Sequence, residues 1–198
     1  MDLFKLDGRY TYSGGFNSRA ILALVISGLI YGQLALGATM RHQHRDLAIL
    51  DFPLAYGQIV PATDSPTIAR INQVRDSQAL SDVSAGQIWL QMAHRFVAAI
   101  IGLTIAAFWL STRRQKNGSS FLRKLSNVWL GLVVLQLTLG GWTIWSNKAA
   151  DIATAHVAVG AMTFGTAIAI SATVLRLRRA VGPGSFAIRN ENLAQVHA

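Results

Sequence analysis

The stretches QMAHR at residues 91–95 and ATAHV at residues 153–157 each place one histidine near the start of a long apolar segment. Each segment is long enough to cross a bilayer as a helix. A neutral imidazole that faces lipid has no hydrogen-bond partner, so an ionisable side chain inside a membrane span is a candidate functional residue. His94 and His156 therefore predict a membrane fold and one ligand shared by the two segments that carry them.

The amino-acid composition is that of a membrane protein. Hydrophobic residues make up 52% of the 198 residues, charged residues only 14%, and the mean hydropathy is +0.35. The absence of cysteine excludes a disulfide framework, a thiolate metal site and a cysteine nucleophile. The charged residues that give the net charge of +9 lie between and beyond the apolar segments. This placement favours membrane lipid as the partner and argues against nucleic acid. No nucleophile–base pair, phosphate-binding loop or acid pair is present, which excludes a soluble hydrolase.

Four apolar segments of about 21 to 24 residues are each long enough to cross roughly 30 Å of hydrocarbon. They predict an all-α fold, an integral membrane four-helix bundle with up-and-down topology. The first segment is expected to be an uncleaved signal anchor, because its apolar core is longer than that of a signal peptide. The predicted spans are residues 20–40, 88–110, 125–145 and 152–175.

The domain organisation follows from these spans. A polar tail at 1–19 precedes the four-helix transmembrane domain at 20–175, and a basic, polar tail follows at 176–198. Lysine and arginine are concentrated in the link between spans two and three and at the start of the last tail, so both termini are expected to be cytoplasmic. The loop at 41–87 is then extracytoplasmic, and only a weak amphipathic helix, at 69–82, is predicted within it.

The two histidines are predicted to lie at one depth. His94 is about six residues into its span and His156 about four, so each lies roughly 6–9 Å below the outer boundary of the membrane. In an up-and-down bundle the second and fourth helices are parallel and diagonal, so the imidazoles would face each other across the bundle axis. Two imidazoles about 2 Å from a central metal fit that arrangement, and the metal that we hypothesise is heme iron. The alternative is that each histidine donates a hydrogen bond that stabilises a helix contact.

Small residues in all four spans indicate room for a ligand near the histidines. The same residues are typical of close helix packing in membranes, by contacts of the GxxxG kind, and both interpretations stay open. The small residues considered are Gly28, Gly32, Ala98, Gly102, Gly131, Gly140, Gly141, Ala153 and Gly160.

Arg95, which follows His94 directly, is a further candidate. Its side chain either extends outward to water or pairs with a heme propionate. His42 and His44 follow the first span, where a solvated interfacial loop is favoured over contact with a metal, a substrate or a propionate. The sequence assigns no role to His197 and no residue to catalysis.

Together these stretches resemble the heme A synthase family of cytochrome oxidase assembly proteins. The motifs that carry the resemblance are LGA at 36–38, DFPL at 51–54, QMAHR at 91–95, QLTLGG at 136–141 and AHVAVGA at 155–161. Members of this family usually have eight spans in two similar four-helix halves, each with a histidine pair. The resemblance implies an oxidoreductase of the cell inner membrane that converts the C8 methyl group of heme O to the formyl group of heme A. It also implies that one half holds heme b as its cofactor.

The chain corresponds to one half of such an enzyme and is more similar to the C-terminal half, which holds the cofactor. Gln91 stands where the substrate half typically has a glutamate, and the paired loop cysteines of the family are missing. The resemblance implies a bis-histidine heme b held by His94 and His156 with Arg95 beside it, and heme O as the substrate of a complete unit. That unit would be a homodimer or a pairing with a second four-helix half, and a truncated fragment is the third interpretation.

Two other functional classes fit the same histidine pattern. One is a b-type membrane electron-transfer cytochrome, and the other is a non-catalytic assembly factor without heme. A heme whose two axial positions are filled cannot bind oxygen without losing a ligand. If both histidines bind iron, the heme of this chain is therefore expected to pass electrons, and oxygen chemistry is expected in a second half.

Overall fold

The four predicted membrane spans are helices in the computed structural model, which describes residues 15–42, 47–115 and 118–180. Four of the five helices in this part of the chain are long and apolar enough to cross a membrane. The prediction of an all-α membrane four-helix bundle is confirmed. Predictions that concern residues 1–14, His44 and residues 181–198 lie outside the described residues. The helices are α1 (Gly15–His42), α2 (Ser65–Asp76), α3 (Ala85–Arg113), α4 (Ser120–Trp145) and α5 (Ala150–Ala180).

The start of α3 is fixed by a capping box. The N–H of Gln87 donates to Ser84 Oγ at 3.4 Å, and the N–H of Ser84 donates to Gln87 Oε1 at 2.9 Å. These two bonds satisfy donors that a helix end leaves unpaired. Because His94 lies in the third turn of α3, the cap also fixes its distance from the start of that helix.

The short helix α2 differs from the helix that we predicted at 69–82. It begins at Ser65, because the Asp64 carboxylate caps it by accepting the N–H of Thr67 at 3.0 Å and Pro66 occupies its first turn. It ends at Asp76, and Ala79 shortly afterwards has a φ of 55°, which is not helical. Asp64 followed by Pro66 is a typical helix-start pattern, so the sequence did contain a signal for the true start of this helix.

Each membrane helix packs on two others around the bundle. Helix α1 contacts α3 and α5, and α4 contacts the same two helices. Helices α3 and α5 are therefore diagonal, as the up-and-down order predicts. The short turn between α4 and α5 is closed by Asn147 and Lys148, whose φ angles of 50° and 61° reverse the chain direction.

The apolar core fills the half of the bundle farther from the histidines. Trp129 of α4 and Phe108 of α3 are fully buried there, with ring centroids 5.6 Å apart and planes at 81°. The hydroxyl groups of Ser27 in α1 and Ser171 in α5 lie 3.1 Å apart in the same region. Packing and interhelical hydrogen bonds of this kind hold helices together in lipid, where the hydrophobic effect cannot.

The half of the bundle that contains the histidines has a different interior. No residue at 31–42 of α1, 93–100 of α3 or 150–159 of α5 is fully buried. These three segments surround His94 and His156 with side chains that are half-buried or exposed. The packed core therefore stops short of the level at which the two imidazoles lie.

The segment 47–84, in which only one weak helix was expected, forms a small packed layer over this end of the bundle. A second apolar cluster joins it to α3. Arg75, in the last turn of α2, is buried and donates to the carbonyl oxygens of Ser81 at 2.7 Å and Leu47 at 2.9 Å. Burial raises the pKa of the Tyr56 phenol, whose O–H donates to the carbonyl of Ala48. The cluster consists of Ala48, Ile49, Ala55, Ile71, Val83, Ile88 and Met92.

Candidate functional site

The imidazole of His94 lies between α3 and α1. A Cβ atom at Gly37 of α1 would be 3.4 Å from His94 Cε1, so the ring packs closely on the backbone of that helix. The amide of Gln33, one turn earlier in α1, donates to the backbone carbonyl of His94 at 2.9 Å. The ring nitrogen Nδ1 is buried and has no hydrogen-bond partner.

The imidazole of His156 has a matching environment between α5 and α4. A Cβ atom at Gly140 of α4 would lie 3.2 Å from His156 Cε1, which is tighter than most real Cβ contacts. Gln136 Nε2 lies 3.4 Å from His156 Nε2, and Gly160 leaves room for the same amide, which a Cβ there would approach to 3.1 Å. His156 Nδ1 is also buried without a partner.

All four membrane helices contribute to this level of the bundle. The diagonal pair α3 and α5 supplies the imidazoles of His94 and His156, and the other diagonal pair supplies the glycines on which they lie. Each ring thus has a buried nitrogen without a partner, a state that costs about 1–3 kcal/mol for a residue whose role is only structural. A ring nitrogen that binds a metal loses that cost, so the donor set fits a ligand better than it fits a helix contact.

The kind of metal group follows from the number of ligands. Among residues 15–42, 47–115 and 118–180, no group of three or more histidine, cysteine or acidic side chains could hold a metal ion. Two imidazoles are sufficient for a heme, because the porphyrin supplies four nitrogens and leaves two axial positions to the protein. The residues at this site therefore fit a heme held by His94 and His156.

The glycines among the small residues differ in what an added Cβ would contact, which is Leu137 at Gly102 and Phe52 at Gly141. Gly140 borders the imidazole of His156, and Gly160 borders the amide of Gln136. Gly28, Gly32 and Gly131 border neither, because an added Cβ there would have no atom of the described chain within 4 Å. The sequence could not separate these positions. The uncharged amides Gln33 and Gln136 lie inside two spans and beside the histidines. Polar side chains inside spans are a sequence signal for this level of the bundle.

Arg95 has a role that the sequence did not suggest. Its guanidinium group donates to the backbone carbonyls of Leu54 at 2.8 Å and Asp51 at 2.7 Å, and lies 5.5 Å from the centroid of the Phe52 ring. Arg95 thus fastens the segment 51–54 over the end of the bundle, directly beside His94. Its Nε is buried and has no partner.

Phe52 lies between α3 and α4. Its Cε1 and Cδ1 atoms would be 3.0 and 3.1 Å from a Cβ at Gly141, so the ring rests on the helix backbone. The indole N–H of Trp145 donates to the carbonyl of Phe52 at 3.3 Å, and the two rings meet edge to face with centroids 5.8 Å apart. Gly141 follows Gly140 directly. Two adjacent glycines of α4 therefore contact the Phe52 ring of the loop and the His156 ring.

Gln91 ties the same loop to α3. Its side chain is buried, accepts the N–H of Ile49 at 3.0 Å and donates to the carbonyl of Ile49 at 3.1 Å. A glutamate at this position could accept the first bond but, when ionised, could not donate the second. The presence of glutamine here therefore has a structural reason.

The substitution Gln91→Glu is expected to loosen the loop by about 1–3 kcal/mol, because two buried oxygens would then face each other. Trypsin cleavage after Arg70, which is exposed on α2, measures this loosening. Gln87→Glu is the matched control, since a glutamate at that position keeps the capping box intact. Equal cleavage rates in the two variants would contradict the prediction.

His42 is the last residue of α1 and is exposed. Its position agrees with the expected solvated end of the first span. His44 lies outside the described residues, so a joint metal contact of the two side chains stays a hypothesis that the structure does not address.

Comparison with known proteins identifies the family. A family model described as COX15-CtaA, cytochrome oxidase assembly protein, matches residues 11–168. The chain belongs to this family. The predicted resemblance to heme A synthases and the multi-pass membrane location are thereby confirmed. No solved structure matches the chain.

Three curated relatives of this COX15-CtaA chain are heme A synthases. The protein from Shewanella oneidensis is 26% identical over 131 residues, which is 64% of this chain and 37% of the relative. The protein from Staphylococcus carnosus is 24% identical over 76% of this chain and 42% of its own length. The protein from Staphylococcus haemolyticus is 22% identical over 82% and 47%. The chain therefore spans less than half the length of these relatives.

Proposed function

We propose that this chain is a heme-binding membrane protein of heme A biosynthesis that supports cytochrome oxidase assembly. His94 and His156 would hold a heme b through its iron. The observation that carries the proposal is the pair of imidazoles on diagonal helices, each packed on a glycine and each with a buried ring nitrogen that has no partner. The heme A synthase relatives support the choice of pathway.

The residues around the imidazoles would orient them. The backbone of His94 is held by the Gln33 amide, and the Gln136 amide lies beside the His156 ring. A heme held by His94 and His156 would supply one-electron transfer. Orientation by neighbouring side chains is the usual means by which a protein adjusts the affinity and potential of such a site.

We further propose that the chain acts as one half of the active unit. The extent of the match supports this, since the matched region covers 42% and 47% of two of the heme A synthases. A second copy or a separate four-helix half would provide the chamber where the methyl group of heme O is oxidised to the formyl group of heme A. In that unit the present chain would be an oxidoreductase subunit.

An absorption spectrum of the purified protein, prepared with heme supplied and recorded before and after reduction by dithionite, tests heme binding. Sharp bands of a low-spin, six-coordinate b-type heme in the reduced state are the expected result. A bis-histidine electron-transfer cytochrome would give the same bands. Conversion of heme O to heme A by the assembled unit separates the two functions.

The protein is proposed to lie in the cell inner membrane. In the proposed orientation, both termini are in the cytoplasm and the segment 47–84 is outside. Because the chain has no cysteine, single cysteines report on each side directly. Gln73→Cys, exposed on α2, is expected to react with a membrane-impermeant maleimide in intact cells or spheroplasts. Ser120→Cys, exposed at the start of α4, is expected to react only after lysis. The reverse pattern would overturn the orientation.

A further inference from the structure

The Phe52 ring lies where the loop at 47–64, which we call the outer loop, meets α3 and α4. On the α3 side it lies under the guanidinium of Arg95, the residue after His94. On the α4 side it rests on Gly141, the residue after the glycine that borders His156. Successive residues of a helix differ by only about 1.5 Å in height, so the ring lies against the turn of α4 that contains Gly140 and beside the residue that follows His94 in α3.

The backbone around Phe52 is held on both sides of the gap. Arg95 of α3 binds the carbonyls on either side of this residue, at Asp51 and Leu54, and Trp145 of α4 binds the carbonyl of Phe52 itself. The Asp51 carboxylate in turn accepts the N–H groups of Tyr56 at 2.8 Å and Gly57 at 2.9 Å, which closes the loop on itself. The position of the ring is therefore fixed by the structure around it.

From this geometry we infer that Phe52 closes the heme site on its outer, α3–α4 side and controls the release of the bound heme. The inference rests on the proposed function, because it concerns the same site. The packed core of the bundle ends below the imidazoles, so core side chains do not confine a ligand at the outer end. A rigid aromatic ring that spans two helices excludes water and keeps a planar apolar ligand in place.

The test is the rate at which heme passes from the reconstituted protein to an excess of apomyoglobin. Phe52→Ala is expected to release heme about tenfold faster, because the closing ring and its contacts are lost. Leu54→Ala is the matched control: it lies in the same loop, its side chain is exposed, and its carbonyl still accepts from Arg95. This control is expected to release heme at the wild-type rate.

A second variant keeps the ring but moves it. Gly141→Ala places a methyl group 3.0 Å from the Phe52 ring and is expected to speed release as well, with the phenylalanine still present. If Phe52→Ala disturbed the fold of the loop, Gly141→Ala would still test whether the position of the ring controls release. Release at the wild-type rate in both Phe52→Ala and Gly141→Ala would overturn the inference while leaving the proposed function intact. A wild-type protein that binds no heme would overturn both.

Discussion

Replacement of either His94 or His156 by alanine is expected to abolish the low-spin heme spectrum. Each imidazole would hold the iron in the proposed site, so its loss would leave the heme weakly held. Heme content is expected to fall below about a tenth of the wild-type value, as removal of a ligand costs at least as much as removal of a supporting side chain. The measurement is the reduced absorption spectrum together with the heme content per protein.

Two controls make this result specific. His42→Ala removes an exposed histidine at the end of α1 and is expected to keep the wild-type spectrum. Imidazole added to the solution is expected to restore the six-coordinate bands in the His94 and His156 variants, because it can occupy the space of the missing ring. A purely structural histidine would not respond to imidazole in this way. Retention of the full spectrum in either alanine variant would exclude that residue as a ligand.

The second large effect is expected from Gly140→Val. The added Cβ would lie 3.2 Å from His156 Cε1, and the two further methyl groups of valine would displace the ring from its position. Heme affinity is expected to fall about 10- to 100-fold, the range found when the support of a metal ligand is altered. Titration of the apoprotein with heme measures this change.

Gly131→Val is the matched control for this experiment. It introduces the same side chain two to three turns earlier in α4, where an added Cβ has no atom of the described chain within 4 Å. Heme affinity is expected to stay at the wild-type value. If the two variants bind heme equally, close packing of His156 on Gly140 has no part in the site.

The membrane helices and the diagonal position of the two histidines could be predicted from the sequence. A long apolar run specifies a span by itself, and the order of spans specifies which helices are neighbours. The contacts that residues 51–54 make with α3 and α4 could not be predicted in this way. Arg95 binds carbonyl groups more than forty residues away in the chain, and backbone acceptors carry no side-chain signature.

The environment of each histidine was predictable only in part. Glycine in a membrane helix is equally suited to a ligand chamber and to a helix contact, so the sequence alone could not show that Gly140 borders His156 while Gly131 has no close neighbour in the described chain. Gln91 illustrates the same difficulty. Its hydrogen bonds with Ile49 depend on how the loop folds back on α3, which a local pattern does not encode.

The separation between the packed inner core and the histidine level bears on the order of biogenesis. The core residues of all four helices contact one another, and neither His94 nor His156 belongs to this cluster. Membrane insertion and helix association can thus be completed while the protein is still in its apo form. In the proposed function, delivery of heme would then be a late maturation step that follows assembly of the bundle.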